Sequence, residues 1–248
     1  MDKPLIVANW KMNGSLEALK RFFKDLKVCE SVNAEVVVLP PAIYIRDCII
    51  AVGNQALSIG TQNVWIKEAG AYTGEISARM ARDIGASWVM VGHSERRQIQ
   101  NETDELVKLK LDCSLESGLN IVLCVGETLE ERLSGNAKRV VSDQLRKALM
   151  SNLNKNQCEV VVAYEPIWAI GSGRSASLKD VQDMHAFIRS VLMKTKCMSD
   201  TNLRILYGGS VTPENAADFI KQQDVNGLLV GGASLEAESF SSIINALG

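Results

Sequence analysis

Glu165 and His93 are the side chains whose neighbours best suit them to moving protons. Glu165 follows the apolar run Val160-Val161-Val162-Ala163-Tyr164, and His93 follows Trp88-Val89-Met90-Val91-Gly92. Each stands where a strand-like run stops. A carboxylate there loses solvation, which is expected to raise its pKa and strengthen it as a base. His93 precedes Ser94-Glu95-Arg96-Arg97, which reads as the opening of a short helix. An imidazole at a helix N-terminus faces the positive end of the dipole and is expected to stay neutral. A neutral ring can donate a hydrogen bond to a carbonyl oxygen. A histidine and a carboxylate held on different strands of one sheet can move protons cooperatively. His185, the other of the two histidines, lies between Val181 and Ile188 and reads as a packing or surface residue.

Lys11 and Asn9 flank Trp10 just after a short apolar run, Leu5 to Ala8. Alternation along a strand puts them on one side. A Lys there can offset negative charge developing on an oxygen, and Glu95 can pair with it and hold it in place. Two glycine pairs supply sites of close approach. Gly208-Gly209-Ser210 precedes Thr212-Pro213, and Gly231-Gly232 follows an apolar run. Both let backbone N–H groups reach an anion, although tight turns use glycine for geometry alone. Beyond Glu165, the segment from Pro166 to Ala176 contains Gly171 and Gly173 and could close over a ligand.

The elements that must position these groups can be read from hydropathy. Eight apolar runs alternate with helical patterns: Leu5–Ala8, Glu35–Leu39, Leu57–Gln62, Trp88–Gly92, Asn120–Val125, Glu159–Tyr164, Arg204–Tyr207 and Gly227–Val230. Continuous Val/Ile/Leu runs suit parallel strands covered on both faces. Asn101 is expected to cap a helix with Asp104 at its third position and Gly118 at its end. Ser177-Leu178-Lys179-Asp180 resembles a capping box, and Thr212-Pro213 reads as a cap followed by Pro at the first helical position. Eight β-then-α units make a doubly wound sheet or a closed barrel, and eight strands favour the (β/α)8 barrel. No linker or low-complexity run divides the chain, so one domain over 1–248 is expected. In such a barrel the active residues lie at the C-terminal ends of the strands. Asn9, Lys11, His93, Glu95, Glu165, Gly208 to Ser210, Gly231 and Gly232 all follow apolar runs.

Composition excludes other classes. The chain has 248 residues, 46% hydrophobic and 23% charged, with a formal charge of −2. With a pI near 5.8, it does not suggest nucleic acid or an anionic membrane as the main partner. A small anionic ligand needs no net positive charge. The N-terminal apolar run is too short for a secretory signal, and no run approaches a membrane span. The six cysteines, Cys29, Cys48, Cys113, Cys124, Cys158 and Cys197, form no C-x-x-C pair and read as reduced packing residues of a cytoplasmic protein. No G-x-G-x-x-G follows the first run and no metal-spaced His/Cys cluster occurs, so neither cofactor nor metal is expected.

Ala8-Asn9-Trp10-Lys11-Met12-Asn13, Gly92-His93-Ser94-Glu95-Arg96-Arg97, Glu165-Pro166-Ile167-Trp168-Ala169-Ile170-Gly171-Ser172-Gly173 and Tyr207-Gly208-Gly209-Ser210 together resemble the triosephosphate isomerase family, in the same order and over nearly the whole chain. The resemblance implies interconversion of dihydroxyacetone phosphate and glyceraldehyde 3-phosphate through an enediolate, in glycolysis and gluconeogenesis. It implies Glu165 as base, His93 as electrophile and proton shuttle, and Asn9 and Lys11 as substrate contacts. Phosphate would be held by N–H groups at Gly171, Ser210 and Gly232, with Gly231 adjacent, and Pro166 to Ala176 would be a lid. Ser172 and Arg174 depart from the usual lid pattern A-I-G-T-G-K-x-A, and Ser175 fills its variable position. The resemblance also implies a homodimer in which the Gln62–Ser77 loop, with Thr73 at its tip, enters a partner pocket beside Lys11 and His93. That loop is long for a βα connection, and Trp65, Ile66 and Tyr72 in it would otherwise be exposed together. Cys124 and Trp168 read as packing residues. Two other readings compete. A barrel isomerase of larger sugar phosphates would share the glycine pairs but not G-H-S-E-R-R or the lid. A non-enzymatic binding role would not require Asn9, Lys11, His93 and Glu165 together.

Overall fold

The computed structural model describes residues 3–29, 32–149, 158–170, 176–195 and 203–247. Eight parallel strands close into a barrel in chain order: β1 Leu5–Asn9, β2 Glu35–Leu39, β3 Leu57–Thr61, β4 Trp88–Val91, β5 Asn120–Val125, β6 Val160–Tyr164, β7 Ile205–Tyr207 and β8 Gly227–Val230. The last pairing, Leu5 to Ala8 against Gly227 to Val230, seals the sheet. Each strand lies within one residue of its hydropathic run at either end. Around them run α1 Leu16–Asp25, α2 Ile45–Val52, α3 Ala78–Asp83, α4 Ser94–Ile99, α5 Asp104–Glu116, α6 Leu129–Leu133, α7 Ala137–Ala148, α8 Leu178–Thr195, α9 Ala216–Ile220 and α10 Ala237–Asn245. Among the described residues, no helix is long and apolar enough to cross a membrane.

The continuous runs divide by parity into two cores. Leu5, Val7, Val37, Leu39, Trp88, Met90, Val161 and Ala163 fill the barrel interior. Ile6, Ala8, Val36, Val38, Val89, Val91, Val160 and Val162 pack outward against the helices. This is the period of two expected of strands buried on both faces. It also sets which mouth residues point inward. Asn9 and Lys11 continue the parity of Leu5 and Val7, and Glu165 continues that of Val161 and Ala163.

Two helix starts differ from their sequence expectation. Thr103, not Asn101, caps α5, accepting from the Leu106 N–H at 3.2 Å. Asn101 has φ +52, the left-handed region that Asn tolerates better than most residues, and so turns the chain into the cap. Thr212-Pro213 opens a turn rather than a helix. α9 begins at Ala216, whose N–H reaches the Thr212 carbonyl, and Asn215 accepts from the Thr212 N–H at 2.8 Å. The expected capping box is present: Ser177 Oγ accepts from the Asp180 N–H and donates to its carboxylate at 2.6 Å.

His185 is a core histidine. It is fully buried on α8, with Nδ1 3.1 Å from the Asp224 carbonyl and its ring edge-on to Tyr164. Burial pushes its pKa down to about 4. The unfolded chain protonates this ring near pH 6.5, but the folded one does not until near pH 4. Stability is therefore unaffected above about pH 6.5 and falls as pH drops through that window, by roughly 3 kcal/mol at most. Urea unfolding of His185→Gln, compared with wild type at pH 7.5 and 4.5, should show a smaller acid-induced loss. Equal losses would remove His185 as the cause.

Candidate active site

Local chain geometry brings the expected groups to the C-terminal mouth. Gly92 adopts φ +71, which breaks the alternation of β4. Without that break His93 would share the outward parity of Val89 and Val91. With it, His93 turns over the barrel mouth and caps α4. Its Nδ1 accepts from the Glu95 N–H at 3.2 Å, which leaves the ring proton on Nε2. Nε2 lies 2.9 Å from Glu165 Oε1. The other Glu165 oxygen accepts from the Ser94 N–H at 2.9 Å. Both side chains are almost wholly withdrawn from solvent.

The electrostatics correct two expectations, the raised Glu165 pKa and the His93 ring kept neutral by its helix end. Burial alone pushes the Glu165 pKa up, as expected from its strand end. The His93 ring, the Ser94 N–H and Lys11 more than offset this, and Glu165 sits below its ordinary value. Conversely, burial pushes His93 down, but Glu165 and then Glu95 carry it above the ordinary imidazole value. The sequence placed His93 at a helix N-terminus but could not reveal that its ring faces the carboxylate directly. The result is an ionised carboxylate hydrogen-bonded to an imidazole N–H.

Lys11 is held in a non-glycine left-handed conformation, φ +51. Its N–H donates to Asn9 Oδ1 at 3.0 Å, and its Nζ lies 2.6 Å from Glu95, the pairing expected from sequence. Gln62 Nε2 donates to the carbonyls of Lys11 and Leu39, each at 2.8 Å. Sequence reasoning took Gln62 as the end of a strand and the start of the long loop, and missed this clamp. Gly231 abuts the Lys11 stem: a Cβ there would lie 3.4 Å from Lys11 Cε.

Lys11, Ser94, Ile170, Ser210, Gly231 and Gly232 line a cavity of about 370 Å³. A neighbouring one of about 570 Å³ is lined by Asn9, Lys11, Met12, His93, Glu95 and Ile99, so the two meet at Lys11 and Glu95. A roomier cavity, about 730 Å³ between α1 and α10, contains none of these groups, so size does not locate the site. Gly171, expected to contact phosphate, and positions 172–175 of the lid lie outside the described residues. At the lid's described edge, Ser210 Oγ donates to the Ala169 carbonyl at 2.8 Å.

Glu127 was also missed. It is fully buried and accepts from Tyr164 Oη at 3.0 Å, Trp168 Nε1 at 2.9 Å and Arg132 at 3.2 Å. It thereby ties the segment after Glu165 to the end of β5, and Trp168 does more than pack. A polar residue just past an apolar run is the signal that found Glu165, and applied evenly it would have flagged Gln62 and Glu127. Cys124 is buried in the barrel, and burial pushes its thiol well up, as befits an inert packing group. The other described cysteines carry free thiols, and Cys197 lies outside the described residues. Among the described residues no group of three His, Cys, Asp or Glu is arranged to hold a metal ion.

The long loop differs from a fully exposed one. Trp65 and Ile66 are half-buried, and Tyr72 is exposed. Trp65 packs against Tyr72, ring centroids 5.8 Å apart, with Lys110 Nζ 5.9 Å from its ring.

A family model described as triosephosphate isomerase matches residues 4–247. The triosephosphate isomerase of Finegoldia magna is 45% identical over 249 aligned positions, covering 99% of this chain and 99% of its own. That of Marinobacter nauticus is 46% identical, covering 98% and 97%. That of Hahella chejuensis is 46% identical, covering 99% of each.

Proposed function

This chain belongs to the triosephosphate isomerase family, and we propose that Glu165 and His93 carry its aldose–ketose isomerisation. The family interconverts dihydroxyacetone phosphate and glyceraldehyde 3-phosphate, a step of glycolysis and gluconeogenesis. The observation that carries the assignment of residues is the 2.9 Å contact of Glu165 Oε1 with His93 Nε2 beside Lys11 and the Gly231-Gly232 turn. The triose enters between the two side chains. The Glu165 carboxylate takes the pro-R proton from carbon 1, the carbonyl oxygen becomes an enediolate oxygen, and the same carboxyl returns the proton to carbon 2. His93 donates from Nε2 to that oxygen and shuttles a proton between the two oxygens. With substrate between them, the imidazole loses the carboxylate that raises its pKa, and burial then favours the neutral ring. Lys11 and Asn9 offset charge on the enediolate. N–H groups at Ser210 and Gly232, next to Gly231, hold the phosphate, with Gly171 completing the set. A coupled assay with glyceraldehyde 3-phosphate tests the activity. Absence of turnover by folded protein would overturn it.

The lid from Pro166 to Ala176 closes over the bound phosphate, excludes water and discourages phosphate loss. A phosphate-bearing enediolate analogue should therefore slow amide exchange at Ala169, Ile170 and Ala176. Unchanged exchange with the analogue demonstrably bound would remove the lid.

The chain acts as one domain over 1–248, without cofactor or metal, as a cytoplasmic homodimer. The Gln62–Ser77 loop of each copy enters the other's roughly 570 Å³ cavity beside Lys11 and His93. Met12, 95% exposed, and Ile99, 69% exposed, rim that cavity and support an occupied socket.

A further inference from the structure

Many of the chain's cations are held in ion pairs, some along one helix and some between elements. Lys108 and Lys179 reach the aspartates four residues on, and Arg189 and Arg204 reach Asp224 and Glu159. The face between α7 and α8 departs from that pattern. A groove of about 500 Å³ there is lined by Lys138, Arg139, Arg146 and Lys194, with Ser142 and Ser190 between them. Among the described residues no carboxylate lines it. Arg139 is, among the described residues, the one of the four with an acidic partner, Asp143, at a loose 3.8 Å and on an exposed surface. Lys138 sits over the half-buried Phe187 ring, 5.3 Å from its centroid, while Lys147 turns away to Asp104 and Glu105. Four cations thus share one concavity on a chain whose formal charge is −2.

Like charges held together repel, and a cleft of one sign focuses its field on a counter-ion. We propose that the α7–α8 groove binds a small polyanion bearing two or more linked phosphate groups. Several observations favour that class. A single phosphate would leave two or more of the cations unpaired. Of the α7 cations that line the groove, the two farthest apart, Lys138 and Arg146, are separated by eight residues, about 12 Å of helix, which suits a short phosphate chain. The volume falls in the range of small-molecule sites, roughly 300–1,000 Å³, and the surface is concave, unlike one that meets a membrane. Arg presents a planar fork to phosphate oxygens and Lys a point charge, while the serine hydroxyls add hydrogen bonds. The groove lies between helices that pack on β5 and β7, whereas the socket described above is built from residues 9–100. A dimer formed through that socket leaves the groove open.

Inorganic tripolyphosphate is the probe, titrated calorimetrically into the full chain at 150 mM salt with the mouth saturated by a phosphate-bearing enediolate analogue. One site per chain is expected. The double variant Arg146→Glu and Lys194→Glu should bind at least about tenfold more weakly with kcat and KM unchanged, since neither residue touches the barrel mouth. Lys138→Ala with Arg139→Ala should weaken binding in the same direction. ATP binding no tighter than tripolyphosphate would show that phosphates alone are read, and tighter binding would assign a nucleoside polyphosphate. No binding at 150 mM salt, or equal affinity in the variants, would overturn the proposal. So would stronger binding of an acidic peptide or single-stranded RNA than of either probe.

Discussion

Glu165→Asp is expected to lower kcat by about 10²-fold or more while leaving KM close to wild type. The substitution keeps the charge and withdraws the carboxylate by one methylene. A misplacement near 1 Å can cost about 10² in rate. The backbone cannot advance to compensate. At Gly126 an added Cβ would lie 1.8 Å from the Glu165 carbonyl oxygen, and at Gly208 one would lie 3.0 Å from Glu165 Cγ. Residue 165 is thus wedged between two glycines, and its N–H is fixed to the Val125 carbonyl at 2.8 Å. The phosphate contacts proposed at Ser210, Gly231 and Gly232 are untouched, so ground-state binding persists and the loss falls on the transition state. Steady-state kinetics in both directions measure this. Wild-type kcat would refute Glu165 as the base, and a rise in KM at constant kcat would make it a binding residue instead.

The barrel and its mouth were legible because they depend on local regularities. A parallel strand buried on both faces must be a continuous apolar run, and the residue that ends it must face the mouth or a helix. Parity then aims Asn9, Lys11 and Glu165 inward. His93 needed one more fact, the left-handed Gly92, which a sequence offers only as a glycine. Groups set by tertiary contact were not legible. Glu165 reads as a carboxylate with a raised pKa until His93 and the Ser94 N–H are seen against it. Thr103 and Asn101 are both good caps, and only the turn geometry chose between them. Gln62 and Glu127 followed the same rule as Glu165, yet their partners lie on other strands and loops, beyond the reach of spacing.

Shortening the long loop around Glu68–Tyr72 is expected to yield a folded monomer with kcat reduced by orders of magnitude. The deletion spares the base of the loop, which is wired into the site. Asn63 accepts from the buried Lys110 Nζ at 2.7 Å, Lys110 is paired with Glu102, and Glu102 is 3.4 Å from Arg96 on the helix that His93 caps. Gln62 keeps its bonds to the Lys11 and Leu39 carbonyls. What the deletion removes is the limb leading to the Thr73 tip, with Tyr72 and its contact to Trp65, and so withdraws the part proposed to enter the partner. Burial of such apolar groups is favourable by roughly 25 cal/mol per Å² removed from water, so its loss should dissociate the dimer. In the monomer Met12 and Ile99 face water around an empty socket. Lys11 is the residue most at risk. Its left-handed backbone costs of order 1–3 kcal/mol and persists only while its surroundings over-determine it. With the partner's loop gone, Asn9, Gln62 and Glu95 must hold it alone. In the proposed dimer no catalytic group crosses between subunits, so activity should fall through lost preorganisation, and a site about 1 Å too loose is enough to lose it. Sedimentation, circular dichroism and kinetics on one variant decide the matter. A fully active monomer would show that the partner's loop does not support Lys11 and His93, and a variant that stays dimeric would place the interface elsewhere.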